Sequence, residues 1–245
     1  MKLDEYEAMY RAEDSMWWYQ GMRAITRAVL ERTYRRAGRL RILDAGCGTG
    51  AVMTYLADYG RVSGFDFSAQ ALAFCRKRGL YELTRASVSE LPYADASFDL
   101  VVSFDVICVH SVPDDVQALR ECARVLQRGG RLVLRLPAYN WLHGHHDEAV
   151  DIRHRYTAGE MRRKLAEAGL QPEWLSYANT ALFPVALAKR FLERLFPPSD
   201  GGSDVAIDYG AANAFFRAIL SAEAPFVASA GLPFGLTIVV VGRKP

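Results

Sequence analysis

The segment that most constrains this chain is a short apolar run, Leu40 to Asp44, that opens into Asp44-Ala45-Gly46-Cys47-Gly48-Thr49-Gly50. Glycine turns the backbone tightly and lets a ligand approach with no Cβ in the way. A strand passing through such a turn into a helix is the opening unit of a doubly wound sheet, and ligands of that fold sit at this turn. The glycine spacing is G-x-G-x-G. That is one residue shorter than the dinucleotide fingerprint G-x-G-x-x-G, which argues against a nucleotide-dependent oxidoreductase. A second strand, RVSGFDFS, closes at Asp66, twenty residues after Gly46. From there a carboxylate can accept both ribose hydroxyl protons.

The alternation continues downstream. Helices are expected at about Ala51–Asp58, Ala69–Arg78 and Asp114–Leu126, with strands near Leu83–Ala86, over FDLVVSFD and over RLVLRLP. Gly129-Gly130 reads as the C-terminal stop of the third helix. The strands are nearly continuous apolar runs, the pattern of a parallel sheet covered on both faces. Upstream, about Asp14 to Arg36 reads as one helix, with Met22, Ile25, Val29 and Leu30 on one side. An aromatic cluster, Met16-Trp17-Trp18-Tyr19, lies at its start.

Composition sets outer bounds. The chain has 245 residues, a net charge of +2 and 51% hydrophobic residues. Disorder, collagen-like repeats and a multi-pass membrane protein are excluded on these values, and one α/β domain with insertions fits the length. The weak basic excess does not point to nucleic acid. Cys47, Cys75, Cys108 and Cys122 form no C-x-x-C pair. They read as small buried hydrophobes of a reducing, cytoplasmic protein. The first fifteen residues mix acids and bases, so no signal peptide is expected. The uncharged stretch Ala224 to Gly242 is broken by Pro225, Gly231, Pro233 and Gly235. It is expected to end in a buried strand, LTIVVVG, with no stable membrane insertion.

ILDAGCGTG, GFDFS, LPYADASFDLVVSFDV and RVLQRGGRLVLRLP, in this order, resemble the class I S-adenosylmethionine-dependent methyltransferases, over roughly Leu40 to Pro137. The resemblance implies an α/β, Rossmann-like, doubly wound seven-stranded sheet whose last strand is antiparallel. QPEWLSY would be the sixth strand and LTIVVVG the seventh. It implies S-adenosylmethionine as cofactor, with Asp44, Gly46, Cys47, Gly48 and Gly50 against its methionine part. Asp66 would take the ribose and Phe67 the adenine. Ser87 stands where the family commonly has an acid on the adenine amino group, leaving that contact to its hydroxyl or to the Val88 backbone. Phe104 and Asp105 would line the cofactor from the other side. Tyr19 and Arg23 resemble cap residues that reach the cofactor's edge and carboxylate.

The expected organisation is an N-terminal helical cap (1–38), a cofactor-binding core (39–178), a helical insertion (179–235) and the last core strand (236–245). The loop after the fifth strand and this insertion both emerge at the cofactor end of the sheet. The apolar pieces Leu182 to Phe196 and Ala211 to about Ala224 have three open readings: packing on the core, a lid over an apolar substrate, or a membrane-surface or dimer contact.

Methyl transfer needs an aligned nucleophile and sometimes a base. Four of the five histidines lie in PAYNWLHGHHDEAVDIRHRYT: His143, His145, His146 and His154. The candidate catalytic residues are His146, Tyr139 and His143 from this segment, with His110 from DVICVHSVPDD. Two other readings of the segment stay open: a structural loop, and a metal site from His143, His145, His146 and Asp147, for which no standard motif exists, so no metal is expected. HD-x-x-x-x-x-R-H-R-Y-T resembles a segment of bacterial small-molecule methyltransferases. The basic run Arg153, Arg155, Arg162, Arg163 and Lys164 reads as a solvated helix face or an anion contact.

The expected function is methyl transfer from S-adenosylmethionine to an O or N nucleophile of a small molecule such as a sugar or secondary metabolite. The absence of an Asn-Pro-Pro-Tyr signature argues against a nucleic-acid base. A lipid-linked or apolar acceptor at a membrane surface is the alternative within the class. A non-catalytic protein that only binds the cofactor is the alternative outside it. A homodimer is compatible with the sequence.

Overall fold

Four successive buried residues in the first strand, Ile42 to Ala45, require cover on both faces of the sheet. The computed structural model describes residues 3–34, 38–144, 147–148, 150–188, 210 and 212–245. In chain order they form α1 (Leu3–Ala12), α2 (Trp17–Glu31), β1 (Leu40–Ala45), α3 (Ala51–Leu56), β2 (Gly60–Asp66), α4 (Ala69–Lys77), β3 (Leu83–Arg85), β4 (Phe98–Phe104), α5 (Asp115–Val125), β5 (Leu126–Pro137), α6 (Ala158–Glu167), β6 (Gln171–Ala178), α7 (Ala212–Ala222), α8 (Ala224–Ser229) and β7 (Thr237–Arg243). A short 3-10 turn spans Asn140–Leu142, and residues 183–188 are helical.

The strand order is β3-β2-β1-β4-β5-β7-β6. β1 to β5 run parallel, and β7 lies antiparallel between β5 and β6. This is the α/β sheet with a reversed last strand that the motifs implied. On one face α2 buries Met22, Ile25, Val29 and Leu30 against Ile42, Leu100, Val102, Val133 and Val239. On the other, Ala118, Leu119 and Cys122 of α5 and Met161 and Leu165 of α6 pack on Leu43, Val101, Leu132, Leu134 and Ile238. Removal of this apolar surface from water, about 25 cal/mol per Å², drives assembly of the layers.

Two sequence expectations change. The helix expected over about Asp14 to Arg36 is α2, Trp17–Glu31, and a further helix, α1, precedes it, with tertiary contacts holding the link Glu13–Met16 between them. Glu13 accepts hydrogen bonds from the Thr49 hydroxyl and from Arg78, and Arg78 Nη1 reaches Asp14 at 2.8 Å. A continuous helix would carry these acids away from the glycine turn. Gly129-Gly130, second, is not a helix stop. α5 ends at Val125 and β5 begins at once. The glycines sit where the β4–β5 register shifts, Phe98 pairing with Leu126 and Leu100 with Arg131. Gly129, at φ 78°, donates to the Lys244 carbonyl at 2.9 Å, and Lys244 donates to that of Gly130 at 2.9 Å. They form a strand bulge, which glycine tolerates at positive φ.

α7 and α8 pack against α2. Leu220 of α7 is fully buried, and a Cβ on Gly21 of α2 would lie 2.6 Å from its Cδ2, so glycine permits the close approach. The helical piece expected at Leu182 to Phe196 lies outside the described residues from 189 onward. Among the described residues no helix is long and apolar enough to cross a membrane. Ile25→Ala should lower the unfolding free energy by about 2–5 kcal/mol, the range for truncating a fully buried aliphatic side chain, read from urea denaturation.

Candidate active site

Parallel strands direct their carboxyl ends to one edge of the sheet, and the glycine turn opens there. Gly46, Gly48 and Gly50 adopt φ of 84°, 54° and 89°, a region costly to other residues. Gly46 and Cys47 N–H groups donate to the Phe65 carbonyl at 2.9 and 2.8 Å. The Asp66 carboxylate accepts from Gly48 N–H at 2.9 Å on one oxygen and from Ser68 N–H at 2.8 Å on the other. Gly46 presses on the chain after β4: a Cβ there would lie 2.3 Å from Val106 Cγ2.

The turn forms part of the wall of a cavity of about 1110 Å³. Ligand pockets commonly span about 300–1,000 Å³, so this one lies at the large end. Of the residues expected at the cofactor, Tyr19, Arg23, Asp44, Gly46, Cys47, Gly48, Asp66, Phe67, Ser87, Val88, Phe104 and Asp105 lie on this wall. Gly50 does not: it precedes α3 and faces Leu80 and Cys75. The Cys47 thiol turns from the opening toward Cys75, 3.8 Å away.

Burial and chemistry differ along the wall. Asp44 is 1% exposed and its Oδ2 has no hydrogen-bond partner among the described residues. Burial, then the charges of Asp66 and Glu13, push its carboxyl up to about 8, against the opposing pull of Arg135. Burial also raises Asp66, opposed by the N–H groups of Ser68, Gly48 and Phe67. Phe67 is 67% exposed, an open ring beside the cavity. From the cap, Tyr19 is raised by burial and then by Glu13, and Arg23 lies 5.2 Å from the centre of the Tyr55 ring.

Tyr139, His143 and His110 are not on the wall. Tyr139 stacks on Tyr177 and Trp141 at 5.2 and 5.6 Å. His143 Nε2 lies 3.1 Å from the Ile152 carbonyl. His110 is exposed and its Nδ1 is 3.1 Å from Asp151 Oδ1. His146 and His145 lie outside the described residues. Among the described residues no cluster of His, Cys, Asp or Glu is placed to hold a metal ion.

The HD-x-x-x-x-x-R-H-R-Y-T segment is stapled from within. Asp147 is fully buried and its Oδ1 accepts from Arg155 Nε and Nη2 at 3.0 and 2.7 Å. Arg155 Nη1 donates to the Ala138 carbonyl at 3.1 Å. Tyr156, also fully buried, donates to Ile107 O and Asp115 Oδ2 at 3.1 and 2.9 Å. Thr157 caps α6. The basic run divides similarly: Lys164 holds Asp115 at 2.8 Å, while Arg162 and Arg163 are exposed.

Sequence reasoning missed Arg135, Glu13, Asn179 and Thr237, all on the wall. The signal for Arg135 was visible, a lone charge inside the apolar run RLVLRLP. Glu13 and Asn179 had none, since only the tertiary fold brings them to the opening.

A methyltransferase-domain family model matches residues 43–134. A 27-O-demethylrifamycin SV methyltransferase of Amycolatopsis mediterranei is 30% identical over 201 residues, covering 69% of this chain and 72% of that protein. The chain spans 52–62% of the length of mycobacterial relatives it matches. Among solved structures, the chain that partners the Haloferax volcanii Trm112 methyltransferase activator superposes with a TM-score of 0.63, at 22% identity, covering 99% of this chain and 95% of that one. The [4+2]-cyclase SpnF gives 0.61 at 24% identity, covering 93% and 82%. The chain belongs to the class I S-adenosylmethionine-dependent methyltransferases.

Arg155→Leu should cost about 3–5 kcal/mol in urea denaturation by removing the guanidinium that compensates the fully buried Asp147 carboxylate, and adding Asp147→Asn should restore part of the loss.

Proposed function

We propose that this protein transfers a methyl group from S-adenosylmethionine to an O or N nucleophile of a small molecule, such as a sugar or secondary metabolite. The observation that carries the reading is the carboxylate–glycine–carboxylate array at the strand ends: Asp44 with a buried, unpartnered oxygen, Gly46 and Gly48 without side chains, and Asp66 held by two backbone N–H groups. These residues fit the cofactor. A cationic amino group would satisfy Asp44 Oδ2, and the lone pairs that Asp66 does not use remain for ribose hydroxyls. Phe67, Ser87 and Val88 would border the adenine, and Tyr19, Arg23, Phe104 and Asp105 the methionine part.

S-adenosylmethionine supplies an electrophilic methyl group on a sulfonium. The protein's share is alignment and exclusion of water. The cap helix α2, the loop after β5 and the insertion supply that enclosure: Trp18, Leu142, Ile152, Leu182 and Phe216 all lie on the wall. With Tyr139, His143 and His110 off the wall, none of them is assigned as base here. The Amycolatopsis relative, named for 27-O-demethylrifamycin SV, supports a small-molecule acceptor. Leu182, Val185 and Phe216 of the insertion, all on the cavity wall, favour acceptors with an apolar part. The buried free cysteines suit the reducing cytoplasm.

Two outcomes test the reading. In calorimetry, S-adenosylhomocysteine should bind the wild type, and Asp66→Ala should weaken it by about tenfold or more, as expected for loss of charge-assisted hydrogen bonds. An unchanged affinity would remove Asp66 from the site. The second is pH. Asp44 is largely protonated below about 8, so pairing with a cationic amino group must drive its proton off. Affinity should rise with pH up to about 8 and level off above it, and Asp44→Asn should flatten that rise.

A further inference from the structure

Arg135 is an unusual residue for its position. β5 places it beside Phe104 of β4 and opposite Val239 of β7, on the sheet face that α2 covers with apolar side chains. It is 8% exposed, yet it lies on the cavity wall. Burying a guanidinium costs several kcal/mol unless partners compensate it. Its compensation is one-sided. Nε and Nη2 both reach a single oxygen, Asp105 Oδ2, at 3.0 and 2.9 Å. Nη1 and Asp105 Oδ1 have no hydrogen-bond partner among the described residues. The rings of Phe104 and Trp18, centred 4.6 and 4.9 Å from the guanidinium carbon, hold the group in place.

The other arginines on the wall are placed differently. Arg155 is committed to Asp147 and the Ala138 carbonyl. Arg85 donates to the Phe67 carbonyl at the Asp66 end. Arg23 sits on the cap over Tyr55. Arg135 alone rises from the floor of the sheet, on the β5 side of Phe104. The wall contributed by the β5 loop, the insertion and the start of β7 mixes apolar side chains, Leu142, Ile152, Leu182, Val185 and Phe216, with the polar Asp151, Arg155, Asn179 and Thr237.

We propose that Arg135, braced by Asp105, is a carboxylate-recognition group, and that the acceptor taken by this site is a carboxylic acid with an apolar body. A guanidinium edge meets a carboxylate in a planar, charge-assisted pair that a hydroxyl cannot reproduce. The apolar side chains of that wall receive the remainder of the molecule and strengthen the pair by excluding water. This rests on the cofactor reading above, because the array from Asp44 to Asp66 is what leaves the β5 side for the acceptor.

The test is calorimetry on the full chain. S-adenosylhomocysteine is titrated first, then octanoate and 1-octanol are titrated into the saturated protein. Octanoate should bind about tenfold tighter than octanol or better, the scale of one charge-assisted hydrogen-bond pair. Arg135→Met should erase that preference, and S-adenosylhomocysteine, which Arg135 influences only through Asp105 and Asp44, should lose less affinity than octanoate does. Arg135→Lys, which keeps the charge, should retain the preference for the acid. Thermal unfolding checks that each variant folds; should Arg135→Met not fold, the wild-type preference and Arg135→Lys decide. Equal binding of acid and alcohol, no binding of either, or a folded Arg135→Lys without the preference overturns the proposal. So does parallel loss of octanoate and S-adenosylhomocysteine in Arg135→Met, which would give Arg135 to the cofactor's own carboxylate. A wild type that ignores S-adenosylhomocysteine instead defeats the cofactor reading, and the octanoate and octanol titrations on the free protein then still judge Arg135.

Discussion

Asp66 holds the site together from both sides. One carboxylate oxygen fixes the glycine turn after β1 through Gly48, and the other fixes the start of α4 through Ser68. Two loops from neighbouring strands are thereby set relative to each other by one side chain. The parallel register of β1 and β2, in which Ala45 pairs with Phe65, brings both loops to the same height. A buried carboxylate needs such donors, and the donors here also shape the cradle. The turn extends this order to the cap: Thr49 engages Glu13, and Arg78 bridges the Thr49 carbonyl to Glu13 and Asp14. Cap, turn and α4 form one hydrogen-bonded unit.

How much of this was legible in the sequence depends on how local each cause is. The strand, glycine turn and Asp66 were legible because their spacing is short and each residue type has a physical reason to be there. The seven-stranded sheet followed from continuous apolar runs and from the family resemblance. α1 and the link Glu13–Met16 before α2 were not legible, since contacts to Thr49 and Arg78 place them. Gly129-Gly130 looked like a helix stop because that is its local meaning; pairing with Lys244 makes it a bulge. The HD-to-RHRYT segment was visible as a pattern, with a structural loop among its open readings, but the internal pairing that holds it was not. The buried pair is Asp147 with Arg155, eight residues apart, and Tyr156 reaches across to Asp115.

Electrostatics divide the cavity. Asp44, Asp66 and Glu13 gather at the glycine turn; burial raises all three carboxyls, and the charges of Asp66 and Glu13 raise Asp44 further. Arg135, paired with Asp105, lies near enough for its charge to oppose the rise of Asp44. A cationic ligand group is drawn toward the first region and an anionic one toward the second. The field therefore orients two ligands even before shape does.

The insertion between β6 and β7 carries a further consequence. Glu223, at its far end, accepts from the N–H groups of Thr180 and Ala181 at its near end, at 3.1 and 2.7 Å. A long excursion whose two ends are tied by a single buried carboxylate is a closed loop in mechanical terms. Among the described residues, the excursion is tied to the body by this clasp and by α7 packing on α2 through Leu220. Exchanging or lengthening what lies between costs little in chain entropy, because the cost of closing a loop grows only with the logarithm of its length. Such a clasp makes the roof of the cavity a replaceable part, able to diverge between descendants of one chain while the strands beneath it stay in register.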